Sequence, residues 1–273
     1  MRLELVSRYP AFDGQPTPLL FIPGMLHGAW CWEEYFLDYF AQQGYAAHAL
    51  NLRGHGNSEG REQLRWTRIA DYVTDVEETV REMPSAPILI GHSMGGFIIQ
   101  KYLEHHDLPG AVLLSSPPPS GLIRTVLRIA RRQPLAFAKS NLTFSLLPVI
   151  ATPQLARQAF FSEDVPDEQM LTYWRQMQDE SYRALLDMVA LDLPRPRKVT
   201  APLLVLGAER DNMLSPDEIR QTARAYQTQA VIIPGVAHNS MLERNWQAVA
   251  ERILNWLRPQ AVAVAPAQVV ELA

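Results

Sequence analysis

Largely apolar runs of four to eight residues recur along the chain, and between them apolar side chains return every third or fourth position. The runs are "PLLFI" (18–22), "YAAHALNL" (45–52), "PILI" (87–90), "AVLLSS" (111–116), "APLLVLG" (201–207) and "AVIIPG" (230–235). A strand buried on both faces reads as such a run, whereas "RLELV" (2–6) alternates as a half-exposed edge strand does. The intervening periodic stretches predict helices over residues 30–42, 67–82, 97–105, 216–225 and the region around 246–257. Strands and helices that alternate in this way predict an α/β fold: a mostly parallel central sheet with helices on both faces.

The rhythm stops at "SSPPPSG" and resumes at residue 201, because three prolines end the strand and no strand pattern follows for about eighty residues. That stretch is rich in apolar helix formers ("LIRTVLRIA", "LTFSLLPVI", "LARQAFF", "MLTYWRQM") and predicts a helical cap inserted into the core. The expected organisation is a core of residues 1–116 and 197–258, a cap of 117–196 and a flexible C-terminal tail of 259–273. The tail shows no helical period, although "AVAVA" and "VVEL" have the alternation needed to pair with a sheet edge.

Charge narrows the partners. With 25 basic and 29 acidic residues the net charge is -4, and a nucleic-acid binder needs a concentrated basic surface instead. Arg124, Arg128, Arg131 and Arg132 recur at helical spacing and are expected to form a solvated helix face. Cys31 is the lone cysteine, which excludes an intramolecular disulfide and a cysteine-based metal cluster. Neither a signal-like start nor an apolar segment of spanning length is present, so the expectation is a cytoplasmic protein without stable membrane insertion.

The chemistry is concentrated at "ILIGHSMGG" (88–96). Gly91-His92-Ser93-Met94-Gly95 fits the G-x-S-x-G nucleophile elbow, a strained strand-to-helix turn that lifts a hydroxyl above the sheet. Side chains two residues either side of Ser93 would collide, so glycine is demanded at both. A serine hydroxyl needs a base, and the base an orienting acid. Both follow at strand ends: Asp211 in "AERDNMLSP" and His238 in "VAHNSM", in the chain order Ser, Asp, His. Glu209 is a weaker candidate for the acid because it lies nearer its strand.

An oxyanion hole is expected from the backbone N–H of Met94 and, in the loop "IPGMLHGAWCW", from that of Met25, where Gly24 allows close approach. His27, Trp30 and Trp32 in that loop either line the pocket or anchor the next helix. His92, flanking the nucleophile, either packs or orients nearby loops. The apolar stretches 142–150 and 155–161, with Leu146 and Phe160 in them, are expected to enclose a greasy acyl group. Gly24, His27, Trp30, His92, Leu146 and Phe160 are thus the candidate substrate-binding set.

Over roughly residues 1–258 the chain resembles the α/β-hydrolases of the Ser-His-Asp type. The resemblance rests on "GHSMGG", "NLRGHGNSEG" (51–60), "ERD" (209–211) and "GVAHNSMLE" (235–243). It is strongest toward the monoacylglycerol lipase and lysophospholipase-like carboxylesterases. "GMLHGAWCW" is similar to the loop of plant methylesterases and hydroxynitrile lyases, but the lyases' lysine just past the catalytic histidine is missing from "NSMLE". Two departures stand out: Pro23-Gly24 where many relatives have His-Gly, and Asn51 where aspartate is common. Ser93 excludes the aspartate nucleophile of the dehalogenases.

The resemblance implies ester hydrolysis through an acyl-enzyme, with no metal or organic cofactor, on apolar acyl esters or monoglyceride- and lysophospholipid-like substrates. Carbon–carbon bond hydrolysis, acyl transfer and a non-catalytic ligand-binding homologue stay open as alternatives. The partner expected is a small-molecule ester, and the assembly a monomer or homodimer.

Overall fold

The computed structural model describes residues 1–12 and 14–264, the last six through their backbone alone. Its strands are β1 (Glu4–Arg8), β2 (Leu19–Ile22), β3 (Ala47–Asn51), β4 (Ile88–His92), β5 (Ala111–Leu114), β6 (Leu203–Ala208) and β7 (Ala230–Ile233). They form one sheet in the order β1-β3-β2-β4-β5-β6-β7. Every pairing is parallel except β1 against β3.

The helices are α1 (Trp30–Glu33), α2 (Phe36–Gln42), α3 (Ile69–Glu82), α4 (Met94–Tyr102), α5 (Ile123–Arg132), α6 (Pro134–Thr143), α7 (Pro153–Phe160), α8 (Asp167–Gln176), α9 (Tyr182–Leu186), α10 (Pro216–Ala225) and α11 (Trp246–Val264).

Strand geometry sorts the apolar runs. Successive side chains point to opposite faces, so Leu19 and Phe21 pack with Trp32, Phe36, Phe40 and Ile253 on one side. Leu20 and Ile22 pack with Ile69, Tyr72, Phe97 and Ile219 on the other. Both layers are closed, which is why β2, β4 and β5 read as continuous apolar runs. Register then aligns the carboxyl ends: Ile22 pairs with Gly91, His92 with Leu114, Leu114 with Leu206 and Ala208 with Ile233. The loops leaving β2, β4, β6 and β7 therefore open on one rim.

Two boundaries differ from the sequence expectation. The helix over 30–42 is two helices, because Tyr35 departs from helical geometry at φ -141 between them. The helix expected around 246–257 runs further, since α11 continues to Val264. The alanine-rich "QAVAV" propagates a helix already formed, which needs no amphipathic period, and Pro259 removes one N–H without ending it. The expectation for residues 265–273 lies outside the described residues.

Between β5 and β6 the chain contributes α5 to α9 and, among the described residues, no strand. The stretch from 177 to 187 is fastened to the core loop after β3 and to the start of α3. Gln178 Nε2 donates to the Gly54 carbonyl at 2.9 Å, Ser181 Oγ to the Thr67 carbonyl at 2.6 Å, and the Ile69 amide to Asp187 at 3.1 Å. At the centre of this seam His55 Nε2 lies 3.0 Å from Glu180 Oε2, both side chains essentially without solvent contact. The approach is off the line of an ideal N–H···O bond, so the attraction is mainly ionic. Tyr72 Oη and the Ser181 amide both donate to the other Glu180 oxygen, at 2.6 and 2.7 Å.

Burial alone would push the His55 pKa down, but the Glu180 charge outweighs it and the net direction is up from 6.5. Burial would likewise raise Glu180, and the His55 charge with its hydrogen bonds holds it below 4.5. The pair's contribution is therefore greatest between pH 4.5 and 6.5 and is lost as pH rises through the raised His55 value. Removing one partner of a buried pair costs about 3 kcal/mol or more. Glu180→Gln is expected to lower unfolding free energy in urea, and by more at pH 6 than at pH 9. A deficit independent of pH would show that the charge on His55 takes no part.

Candidate active site

Four loops meet at the aligned strand ends. β4 runs straight into α4 through Ser93, whose φ of 50 and ψ of -118 put a non-glycine residue in a strained conformation. Its amide donates to the Leu114 carbonyl at 2.9 Å, which ties the turn to the neighbouring strand. Two glycines make the turn sterically feasible. A Cβ on Gly91 would stand 2.5 Å from the Gly95 backbone, and one on Gly95 would stand 2.2 Å from the Ile22 carbonyl oxygen.

Asp211 lies three residues past β6, and the side chain is completely buried. Its Oδ1 accepts from the amides of Met213 at 2.7 Å and Leu214 at 2.8 Å, which fixes the carboxylate plane. Oδ2 accepts from His238 Nδ1 at 2.8 Å, so Nε2 is the nitrogen free to take a proton. His238 and Ser93 line the same cavity. Among the described residues the Ser93 hydroxyl makes no hydrogen bond within the chain, a geometry common before substrate draws a nucleophile and base together. Glu209 is turned away and accepts from the Gly235 amide at 2.9 Å.

The loop after β2 is held from three sides. His27 Nδ1 donates to the Met25 carbonyl at 2.7 Å, and the Gln178 amide donates to the Leu26 carbonyl at 3.1 Å. Asn239 Nδ2 donates to His27 Nε2 at 2.9 Å. Leu26 itself sits at φ 68. Among the described residues the amides of Met25 and Met94 donate to nothing within the chain. Gly24 passes so close to the elbow that a Cβ there would stand 2.7 Å from His92 Nδ1 and 3.0 Å from Ser93 Cβ.

The histidines beside His238 are held neutral. Burial pushes the His27 pKa down to about 4, and its Nε2 already accepts from Asn239. Burial also drives His92 well below 6.5, while its Nε2 donates to the His238 carbonyl at 3.0 Å. His92 thus braces the backbone of the histidine loop while one edge of it faces the cavity.

That cavity has a volume of about 190 Å3. Met25, His27, His92, Ser93 and His238 form its polar end, and Leu146 and Phe160 belong to its apolar wall. Three sequence expectations need correction. Trp30 does not line the cavity: it stacks between His27 (ring centroids 5.3 Å) and Tyr173 (6.1 Å), behind the wall. Gly24 supplies clearance at the elbow, not a lining surface. Of the stretch 142–150, Leu142 is 81% exposed and faces outward.

Much of the wall comes instead from residues that sequence reasoning did not single out. Val126 and Ile129 on α5, Leu185 and Leu186 on α9, and Met213 after Asp211 all line the cavity. Helical spacing marks those faces as apolar, but the sequence does not tell an inward face from an outward one. Asn239 was also missed; a polar residue directly after His238 was the available signal.

Comparison with known proteins places the fold. The model of the alpha/beta hydrolase family matches residues 19–252. A monoacylglycerol lipase of Mycolicibacterium smegmatis is 24% identical over 233 residues, 80% of each chain. A Mycobacterium tuberculosis structure provisionally described as a non-heme bromoperoxidase superposes with a TM-score of 0.77 at 22% identity, covering 95% of this chain and 97% of the other. The monoacylglycerol lipase of Paleococcus ferrophilus gives 0.69 at 17% identity, covering 95% and 100%.

The buried His27 has a consequence for acid stability. Its folded pKa is about 4 against 6.5 in the open chain, so between those values the unfolded state takes up a proton that the folded state refuses. Acidification through that window therefore costs stability, on the order of 3 kcal/mol from this residue. In His27→Gln that share is missing, and the gap in unfolding free energy between wild type and variant should close from pH 7 to pH 4. A gap that stays constant would show that folded His27 protonates freely.

Proposed function

The chain belongs to the alpha/beta hydrolase family, and from that premise we propose that it is a serine hydrolase that cleaves carboxylic esters with apolar acyl groups. The observation that carries this reading is the Asp211–His238 contact of 2.8 Å opening on the same apolar cavity as the strained Ser93.

In the proposed reaction the Ser93 hydroxyl attacks the acyl carbon while its proton passes to His238 Nε2. Asp211, with its other oxygen pinned by two amides, holds the tautomer that leaves Nε2 free and offsets the charge that forms on the ring. The amides of Met25 and Met94 are the donors proposed for the oxyanion, each worth about 3 kcal/mol in the transition state. Collapse breaks the ester C–O bond, and the leaving alcohol takes the proton from His238. Water then repeats the sequence on the acyl-enzyme and releases the acid.

The neutrality of His27 and His92 supports the division of labour, because neither ring competes for the serine proton near pH 7. The substrate class follows from the wall. Leu146, Val149 and Phe160 with the α5 and α9 residues offer hydrocarbon contact and exclude water, which suits short-to-medium acyl chains or monoglyceride-like lipids. The similarity to monoacylglycerol lipases supports the same class.

A fluorophosphonate probe should label the wild type and leave Ser93→Ala unlabelled, and turnover of Ser93→Ala should fall at least about a thousandfold. Against p-nitrophenyl esters of increasing acyl length, kcat/KM should rise above its value for acetate and then decline as the cavity fills. Absence of labelling would favour a ligand-binding role. A flat profile, or activity on acetate alone, would remove the apolar acyl pocket from the reading.

A further inference from the structure

Two of the helices that wall the cavity, α5 and α6, have another face, and it is unlike the rest of the protein. Between Asp107 and Glu163 the chain carries no carboxylate, yet it holds Arg124, Arg128, Arg131, Arg132, Lys139 and Arg157, in a protein whose net charge is -4. Two of these are used internally: Arg128 pairs with Glu218 and Arg157 with Asp167. Arg124, Arg131, Arg132 and Lys139 are exposed, and among the described residues none of the four forms an ion pair.

Interleaved with these cations are exposed hydrocarbons. Half of the most exposed large apolar side chains among the described residues fall between Ile123 and Leu147. On α5 these are Ile123 and Leu127, one turn apart, flanked by Arg124 and Arg131. On α6 Leu135 and Leu142 stand seven residues apart on one stripe, 86% and 81% exposed, with Lys139 beside them. Leu127 and the four α5 arginines border a shallow depression of the surface.

We propose that this outer face of α5 and α6 docks on an anionic lipid bilayer. A membrane interface offers phosphate and hydrocarbon at the same depth, and a helix face of arginine, lysine and leucine matches both. A second copy of the chain would bring cation against cation. A nucleic acid would leave the leucines without apolar contact. Docking is peripheral, since among the described residues no helix is long and apolar enough to cross a membrane. The inner faces of the same helices, through Val126, Ile129 and Phe137, line the cavity that holds Ser93. The lipid surface and the reacting site would thus be separated by one layer of helix. The proposal goes beyond the ester reading and does not depend on it.

The test is flotation of the full chain with vesicles of phosphatidylcholine containing 30 mol% phosphatidylglycerol, compared with phosphatidylcholine alone. The wild type should bind the anionic vesicles at least tenfold more tightly, and 0.5 M NaCl should erase most of the difference. Arg124→Glu/Arg131→Glu and, separately, Leu135→Ser/Leu142→Ser should each lose at least tenfold in vesicle affinity. Both double variants should keep wild-type turnover of a water-soluble p-nitrophenyl ester and wild-type circular dichroism, because none of the four residues lines the cavity. Ser93→Ala should bind vesicles as the wild type does, which separates docking from chemistry. Equal binding to the two vesicle types, variants that bind undiminished, or a dimer that Leu135→Ser/Leu142→Ser dissociates would each overturn the proposal.

Discussion

Ser93 is held at backbone angles that a serine does not choose, and the surrounding architecture follows from keeping it there. The elbow exists because α4 approaches β4 and the end of β2 within backbone contact, which is possible only while Gly91 and Gly95 lack side chains. Gly24 extends the same constraint to the loop after β2. The Ser93 amide is anchored on β5, whose register continues into β6 and β7. Positions 93, 211 and 238 are thus brought to one rim by the sheet, before any interaction between their side chains is counted.

Around that rim polar and apolar demands are segregated. His27, His92, Asn239 and Asp211 are buried, and each is oriented by a named hydrogen bond: to the Met25 carbonyl, the His238 carbonyl, His27 and the Met213 amide respectively. These contacts set tautomers and loop positions at the polar end of the cavity, and the inserted helices supply the hydrocarbon. The insertion is joined to the core by the seam around His55 and Glu180, whereas α5 and α6 turn a charged and apolar face outward.

The sequence carried the core clearly because parallel strands covered on both faces leave runs that no surface segment resembles. The elbow, Asp211 and His238 were legible because each follows such a run at short spacing. The insertion was legible as helices but not as surfaces. "LTFSLLPVI" contributes Leu146 and Val149 to the cavity and sends Leu142 and Phe144 outward, and nothing in its composition separates the two directions. Trp30 failed for a related reason: aromatic residues near a site serve as its backing as readily as its lining. The His55–Glu180 contact joins residues 125 positions apart and has no local signature at all. The arginine series on α5 was read as a solvated helix face, and only the placement of Ile123, Leu127, Leu135 and Leu142 beside it gave that face a different meaning.

The order of the strands also has a temporal side. Among the described residues β7 is the edge strand of the sheet, joined to it through β6 alone, and the last strand in chain order. A polypeptide emerging from the ribosome carries the residues of β4 and the elbow while those of the histidine loop are still unmade, and domains generally fold as units. Ser93 is therefore synthesised well before the imidazole proposed to arm it, and its strained conformation waits on the same sheet that delivers that imidazole. Reactivity would be acquired only when the final strand closes the sheet, so that biosynthesis itself keeps the partly made molecule inert.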